Sequence, residues 1–223
     1  GAETVSRWQS PEDGLLPPSK YIDLMIRAGT VTEHDLYMLR CACVQLQTWK
    51  REGRGTLWLS CNFTRQSIAD EKILARVREI VEQYDFTRDR LVVELTEDSY
   101  THDRETALRT IEGLHAMGLR IALDDMGAGY SSLSDLCTYP IDGVKIDRSI
   151  LLDAEEERGR ALLAGLVQLA HSMGIRALSE GVETKEQLDI ALAAGCDSIQ
   201  GFYFSRVLPK REAERYLREL TEQ

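Results

Sequence analysis

The sequence contains no long apolar run. No stretch approaches the roughly 18 residues that a membrane-spanning helix needs, and no secretory signal is recognisable. A basic excess is also lacking: 27 Lys and Arg stand against 37 Asp and Glu, a formal net charge of −10. That removes the electrostatic footprint of a duplex-binding protein. An anionic small ligand would need local cations, supplied by metals or by a few Arg and Lys side chains. Zinc-type cysteine spacing is absent as well. Cys41 and Cys43 point to different faces of a predicted helix, and Cys61, Cys137 and Cys196 are scattered. All five read as small buried thiols in a reducing compartment. No linker or low-complexity tract breaks the 223 residues, and with 43% hydrophobic and 29% charged residues the balance is that of a globular chain, so disorder, collagen and coiled coil are excluded as the main description. The expectation is a cytoplasmic chain, or the cytoplasmic part of a membrane-anchored protein.

What is present is alternation. Leu36, Leu39, Cys43 and Leu46 recur at helical spacing and predict a helix over about 33–49. Further helices are expected over 71–84, 104–117, 155–173 and 186–194, and from about 211. A short one should follow Tyr130-Ser131-Ser132, whose serines can cap it. Between them lie short apolar strands: TLWLSCN, LVVELTE, LRIALDD, GVKID, IRALSE and CDSIQG. The stretch from Ser10 to Tyr21 reads as a loop. Strands that alternate with helices imply βαβ units and a parallel sheet. The strand cores, such as Leu91-Val92-Val93 and Ile121-Ala122-Leu123, are continuously apolar, as expected when both faces are covered. A barrel and a doubly wound sheet both fit, and the unit lengths are barrel-like.

The chemistry-bearing residues share one position. Asn62, Glu94, Asp124, Asp125, Lys145, Glu180 and Gln200 each fall at the C-terminal end of a predicted strand. In a parallel barrel those ends converge on one face, where barrel enzymes keep their active sites. Converging carboxylates repel unless cations hold them. Hard oxygen donors, with no imidazole or thiolate among them, point to Mg²⁺ or Mn²⁺. In the Asp124-Asp125 pair one carboxylate can bridge two ions while its neighbour binds one, as two-metal phosphoryl chemistry requires. Gly127 and Gly129 permit a tight loop beside it. His34, His102, His115 and His171 sit on predicted helices or their starts, so no catalytic role is expected for them. Trp8, Trp49 and Trp58 read as packing residues, and Met25, Met38, Met117 and Met173 as core filler. Glu155-Glu156-Glu157 reads as a solvated helix start, favourable at the positive end of the dipole.

Seven ordered motifs make the chain resemble the EAL domain family of cyclic di-GMP phosphodiesterases. The family's E-A-L-x-R-W appears as Glu3-Thr4-Val5-Ser6-Arg7-Trp8, and its N-x-S type segment as Asn62-Phe63-Thr64. Its E-x-T-E is Glu94 to Glu97, and its D-D-F-G-T-G-Y-S-S-L loop is Asp124 to Leu133. Lys145 to Ser149, Glu180 to Thr184 and Gln200 to Pro209 complete the series. The resemblance implies a modified TIM (β/α)8 barrel with one antiparallel strand. It implies that residues 1–223 form a single, N-terminally incomplete EAL-type domain. It also implies hydrolysis of cyclic di-GMP to linear pGpG with two Mg²⁺ or Mn²⁺ ions, Ca²⁺ being inhibitory.

By motif, Glu3, Asn62, Glu94 and Asp124 would hold one metal. Asp124 and Asp125 would hold the second, with Glu180 beside it. Lys145 would orient or polarise the attacking water, and Glu180 is a general-base candidate. Arg7 would pair with a ligand phosphate, Asp147 and Gln200 would complete the pocket, and Glu97 would anchor the loop after Asp125. The resemblance further implies a homodimer formed through the loop and short helix after Asp125, and a sensory or GGDEF-type domain linked outside this chain.

Four departures stand out. The eponymous motif reads Glu-Thr-Val. Met126 and Ala128 replace Phe and Thr in the Asp-Asp loop, which puts loop order in question and motivates the alternative of a catalytically silent cyclic di-GMP receptor. Val207 replaces a proline. The family's Y-Q-P-I strand before the Glu3 segment is not in this sequence, which predicts an open seam in the barrel. An enolase-like lyase would also use strand-end carboxylates and a lysine, but the adjacent Asp pair and Asn62 fit it less well.

Overall fold

Seven strands lie side by side in the order β1 (Ala2–Glu3), β4 (Leu59–Phe63), β5 (Leu91–Thr96), β6 (Arg120–Met126), β7 (Gly143–Ile146), β8 (Arg176–Ser179) and β9 (Ser198–Ile199). The computed structural model describes residues 1–96, 104–128 and 133–221. Every neighbouring pair in this sheet is parallel. After β1 the order in space follows the order in sequence, as right-handed βαβ units wound in one direction produce. Antiparallel pairing among the described residues is confined to a small hairpin, β2 (Trp8–Ser10) with β3 (Gly14–Leu16). The sheet is open between β1 and β9, its two edges.

Helices cover the outer face: α1 (Ile22–Ala28), α2 (Val31–Arg51), α3 (Arg65–Ala69), α4 (Ile73–Glu82), α5 (Arg104–Ala116), α6 (Leu133–Thr138), α7 (Arg148–Asp153), α8 (Glu157–Ser172), α9 (Lys185–Ala193) and α10 (Lys210–Thr221). None of the described helices is long and apolar enough to cross a membrane. The core lies between them and the strands. Alternate strand residues Leu59, Cys61 and Phe63, then Leu91, Val93 and Leu95, face outward into the stripes of α2 and α4, including Leu39, Leu46, Ile73 and Val77. The other alternation faces inward and carries Asn62, Glu94, Asp124 and Lys145.

The structure corrects several expectations. The Ser10 to Tyr21 loop contains β3 of the hairpin and a short 3-10 turn at Pro18–Lys20. Ser10 Oγ accepts from the amides of Glu12 and Asp13 and closes the turn between β2 and β3. Helices α1, α3 and α7 were not anticipated. They are seven, five and six residues long, too short for a periodic apolar pattern to emerge. Cys43 and Cys61 are buried, but Cys137 is exposed and Cys41 and Cys196 are half-buried. Met173 is exposed rather than part of the core, and Trp8, though exposed, packs edge-on against Tyr21. His102, Tyr130, Ser131 and Ser132 lie outside the described residues.

Candidate active site

Parallel register sets the first layer of the site. Asn62 lies beside Glu94, and Asp124 pairs in register with the last residue of β5, so successive strands deliver Asn62, Glu94 and Asp124 to the same end. Glu3 closes β1. Glu180 follows β8 directly, its amide donating to Ile146 O, and Gln200 follows β9, its amide donating to Ser179 O. The interior side chains at this level converge on one cation. Lys145 Nζ lies 2.8 Å from Glu180 Oε1, 2.9 Å from Glu94 Oε2, 3.2 Å from Asp124 Oδ1 and 3.5 Å from Glu3 Oε2. Lys145 is 3% exposed and Glu94 2%. Glu3 is further oriented by two amides: Asn62 Nδ2 donates to its Oε1 at 2.9 Å and Gln200 Nε2 to its Oε2 at 2.8 Å. The second of these contacts spans the open edge between β1 and β9.

The Asp pair needs a backbone irregularity to work. Consecutive strand residues point to opposite faces, so Asp124 and Asp125 should diverge. The β6–β7 register shifts between Leu123 and Met126, and Asp125 has φ 57, the one described non-glycine residue in the left-handed region. Aspartate tolerates that region better than most residues. The bulge turns Asp125 back, and carboxylate oxygens of Asp124, Asp125 and Glu180 come within 4.8 Å of one another. Two backbone bonds hold the turn: Ala128 N donates to Asp125 O at 3.1 Å and Asp147 N to Met126 O at 3.0 Å. Met126 itself is buried in the core.

The electrostatics record crowding. Burial, then the charges of Glu3 and Asp124, push Glu94 up to about 7 despite the nearby lysine. Burial likewise raises Glu180 to about 7, with Asp124 adding to it. Asp125 is raised by burial and by Asp124 and Asp147. Burial works against the Lys145 ammonium, but the carboxylates, led by Glu94, outweigh it and hold its pKa above the usual value. One lysine faces four acids, so the pocket carries excess negative charge. Its donors are carboxylate oxygens and the Asn62 amide oxygen. That set fits hard divalent cations, which would relieve the crowding.

The remaining expected residues stand apart from the lysine. Asp147 caps α7, accepting from Ser149 N at 2.9 Å and from the Ser149 hydroxyl. These bonds outweigh its burial and lower its pKa. Gln200 spends its amide on Glu3. Arg7 is exposed, its Nη1 donating to Ser6 O at 2.8 Å, and makes no ion pair among the described residues. Glu97 lies outside the described residues. One contributor was missed in the sequence: Asp35. Its Oδ2 accepts from Thr64 N (2.8 Å), Thr64 Oγ1 (2.8 Å) and Ser67 Oγ (2.7 Å), fixing the corner just past Asn62. The signal was there, since Asp35 interrupts the apolar stripe between Val31 and Leu39.

Fold and site together define an α/β barrel protein with an acidic, cation-seeking pocket at the C-terminal ends of its strands. The EAL domain family model matches residues 1–207, and the chain belongs to the EAL domain family. Cyclic di-GMP phosphodiesterase NbdA of Pseudomonas aeruginosa is 31% identical over 217 residues, covering 97% of this chain and 28% of that protein. Cyclic di-GMP phosphodiesterase PdeR of Escherichia coli is 30% identical over 215 residues, covering 96% and 32%. A solved structure described as the PaMucR phosphodiesterase in complex with c-di-GMP superposes with a TM-score of 0.87 at 30% identity, covering 95% of this chain and 86% of that one. The chain thus spans less than a third of the length of these two curated relatives.

Proposed function

We propose that this chain hydrolyses one phosphodiester of cyclic di-GMP to linear pGpG with two divalent cations, Mg²⁺ or Mn²⁺. The observation that carries the reading is the lysine-centred carboxylate cluster, in which Glu3, Glu94, Asp124 and Glu180 all lie within 3.5 Å of Lys145 Nζ. Its support comes from the family and from relatives named for this activity. Glu3, Asn62, Glu94 and Asp124 would hold one cation. Asp124 and Asp125 would hold the other, with Glu180 alongside. Bound there, the cations would supply Lewis acidity at the phosphoryl group and a nucleophilic water at neutral pH.

The chain's own groups do the positioning. Lys145 is locked by its acids and can orient the attacking water without searching rotamers. Gln200 and Asn62 aim Glu3. Asp147 holds the corner beside Asp125. Arg7 can swing from Ser6 O to a ligand phosphate, for which its planar fork is suited. Cytoplasmic location, a homodimer and a linked sensory or GGDEF-type domain complete the proposal.

The test is turnover of cyclic di-GMP by the purified chain in Mn²⁺, Mg²⁺ and Ca²⁺, with products separated by chromatography. Formation of pGpG in Mn²⁺ or Mg²⁺ but not in Ca²⁺ is the expected result. Tight binding without turnover would instead make this a receptor.

A further inference from the structure

We propose that His34 is a positioning residue: with Ser6 and Asp35 it braces the Arg7 segment against the corner that follows Asn62. The argument starts from where the sheet stops holding the chain. Thr4 is still tied to it, its amide and hydroxyl both donating to Ser60 O at 2.9 and 2.8 Å. Beyond Thr4 the backbone leaves the sheet and does not pair again until β2 begins at Trp8. Arg7 lies in that gap, and the side-chain ties that cross it are made by Ser6.

Ser6 Oγ meets His34 Nε2 at 3.0 Å and the Tyr21 hydroxyl at short range. His34 Nδ1 faces Asp35 Oδ1 at 3.4 Å. The other oxygen of Asp35 takes the three donors of Thr64 and Ser67. Proton directions follow from chemistry. Asp35 accepts throughout, so Nδ1 carries the imidazole hydrogen and Nε2 accepts from the Ser6 hydroxyl. Ser6 oxygen then accepts from the Tyr21 hydroxyl. Every donor in the chain is used once and in one direction, and Asp35 is only 3% exposed. The rings stack edge-on in the same sequence, Trp8 to Tyr21 at 6.1 Å and Tyr21 to His34 at 6.0 Å. The order Ser–His–Asp matches a nucleophilic triad. Here, though, Asp35 serves chiefly the Thr64 corner and Ser6 oxygen is occupied by Tyr21, so the chain acts as a brace.

The division of labour predicts a specific kinetic signature. Glu3 is fixed by strand pairing and by Asn62 and Gln200, independently of His34. Arg7 depends on the brace. This rests on the phosphodiesterase reading only through Arg7 as the phosphate partner. His34→Ala should raise KM for cyclic di-GMP about tenfold and leave kcat within about twofold, while His34→Gln, which can still bridge, recovers most of the loss. In an Arg7→Ala background His34→Ala should add little. Additive effects, or a fall in kcat at unchanged KM, would overturn the brace. Amide hydrogen exchange supplies a readout that needs no activity. Exchange over residues 4–10 should accelerate in His34→Ala while 91–96 stays protected. Unchanged exchange over 4–10 overturns the proposal by itself. Wild-type protein that neither binds nor cleaves cyclic di-GMP would sink the functional reading, and the exchange experiment would still decide the brace.

Discussion

Lys145 is the residue on which the site turns. It is the single positive charge among four acids, and removing it leaves buried carboxylates facing one another. Lys145→Ala should lower kcat by about a hundredfold or more with ligand binding largely kept. It should also destabilise the metal-free protein by about 3–5 kcal/mol, as loss of one partner of a buried ion pair does. Mn²⁺ should restore much of that stability by replacing the missing charge. Thermal melts in EDTA and in Mn²⁺ test the second point, and loss of binding ahead of rate would recast the lysine as a phosphate anchor. The raised acids give a pH dependence of defined sign. Glu94 and Glu180 titrate near 7 in the folded, metal-free state and lower when unfolded. Between those values the native state holds more protons, so their contribution makes stability fall as pH rises toward 7. Cations need the deprotonated forms, so metal affinity should rise over the same interval. The difference in melting temperature between wild type and Glu180→Gln, followed from pH 5 to 8 in EDTA, isolates the effect. A difference that ignores pH would refute it.

Among elements, β6 shows how a motif becomes a site. Asp124-Asp125 was legible as a pair, but alternation along a strand would have sent its two carboxylates apart. The bulge against β7 and the left-handed Asp125 bring them together, and neither is written in the local pattern. A second device appears twice. Asp142, before β7, accepts from Ile121 N at 2.8 Å and sits 3.5 Å from His115 Nε2. Asp197, before β9, accepts from Ala177 N at 2.8 Å and from His171 Nε2 at 2.8 Å. The flanking sequences match: His115-Ala116-Met117-Gly118-Leu119-Arg120 and His171-Ser172-Met173-Gly174-Ile175-Arg176. Both histidines were expected to be non-catalytic, and both lie at the end of the barrel away from the acids. Asp197→Ala should cost about 2 kcal/mol by stranding the Ala177 amide, read from urea unfolding, and His171→Gln much less. At the other end, Gly201 lies against the backbone of Val182, and an added Cβ would fall 2.0 Å from Val182 O. Backbone cannot yield cheaply, so Gly201→Ala should cost about 3 kcal/mol and disturb Gln200 beside it. An unchanged melt would show that this close approach is not a constraint.

For the whole molecule, the five cysteines are no longer equivalent. Burial pushes Cys43 up to about 12 and Cys196 to about 11, and raises fully buried Cys61 as well. Cys137 alone is exposed, and it lies on α6, the short helix through which a homodimer is expected to form. A thiol reagent under native conditions should therefore label Cys137 first. If the dimer forms there, mild oxidation should yield a cross-linked species that Cys137→Ser abolishes. A monomer by light scattering, with no cross-link, would remove the α6 interface.

The alternation of apolar strands and helices was enough to predict parallel β/α architecture, because strand burial on both faces leaves continuous apolar runs. Strand ends were equally legible, because a motif residue that closes such a run must fall at one end of a parallel sheet. Asn62, Glu94, Asp124, Asp125, Lys145, Glu180 and Gln200 as a set came from that position, whereas Glu3 came only from the motif resemblance. What the sequence could not supply were relations between distant segments. The partnership of Gln200 with Glu3, the four-acid cage around Lys145, and the chain from Tyr21 through Ser6 and His34 to Asp35 each join residues from separate elements. Their spacing in sequence carries no period, and only the packing of the elements against one another decides their distances. The short helices α1, α3 and α7 belong with these, since too few residues lie in each for periodicity to show and packing against neighbours decides their form.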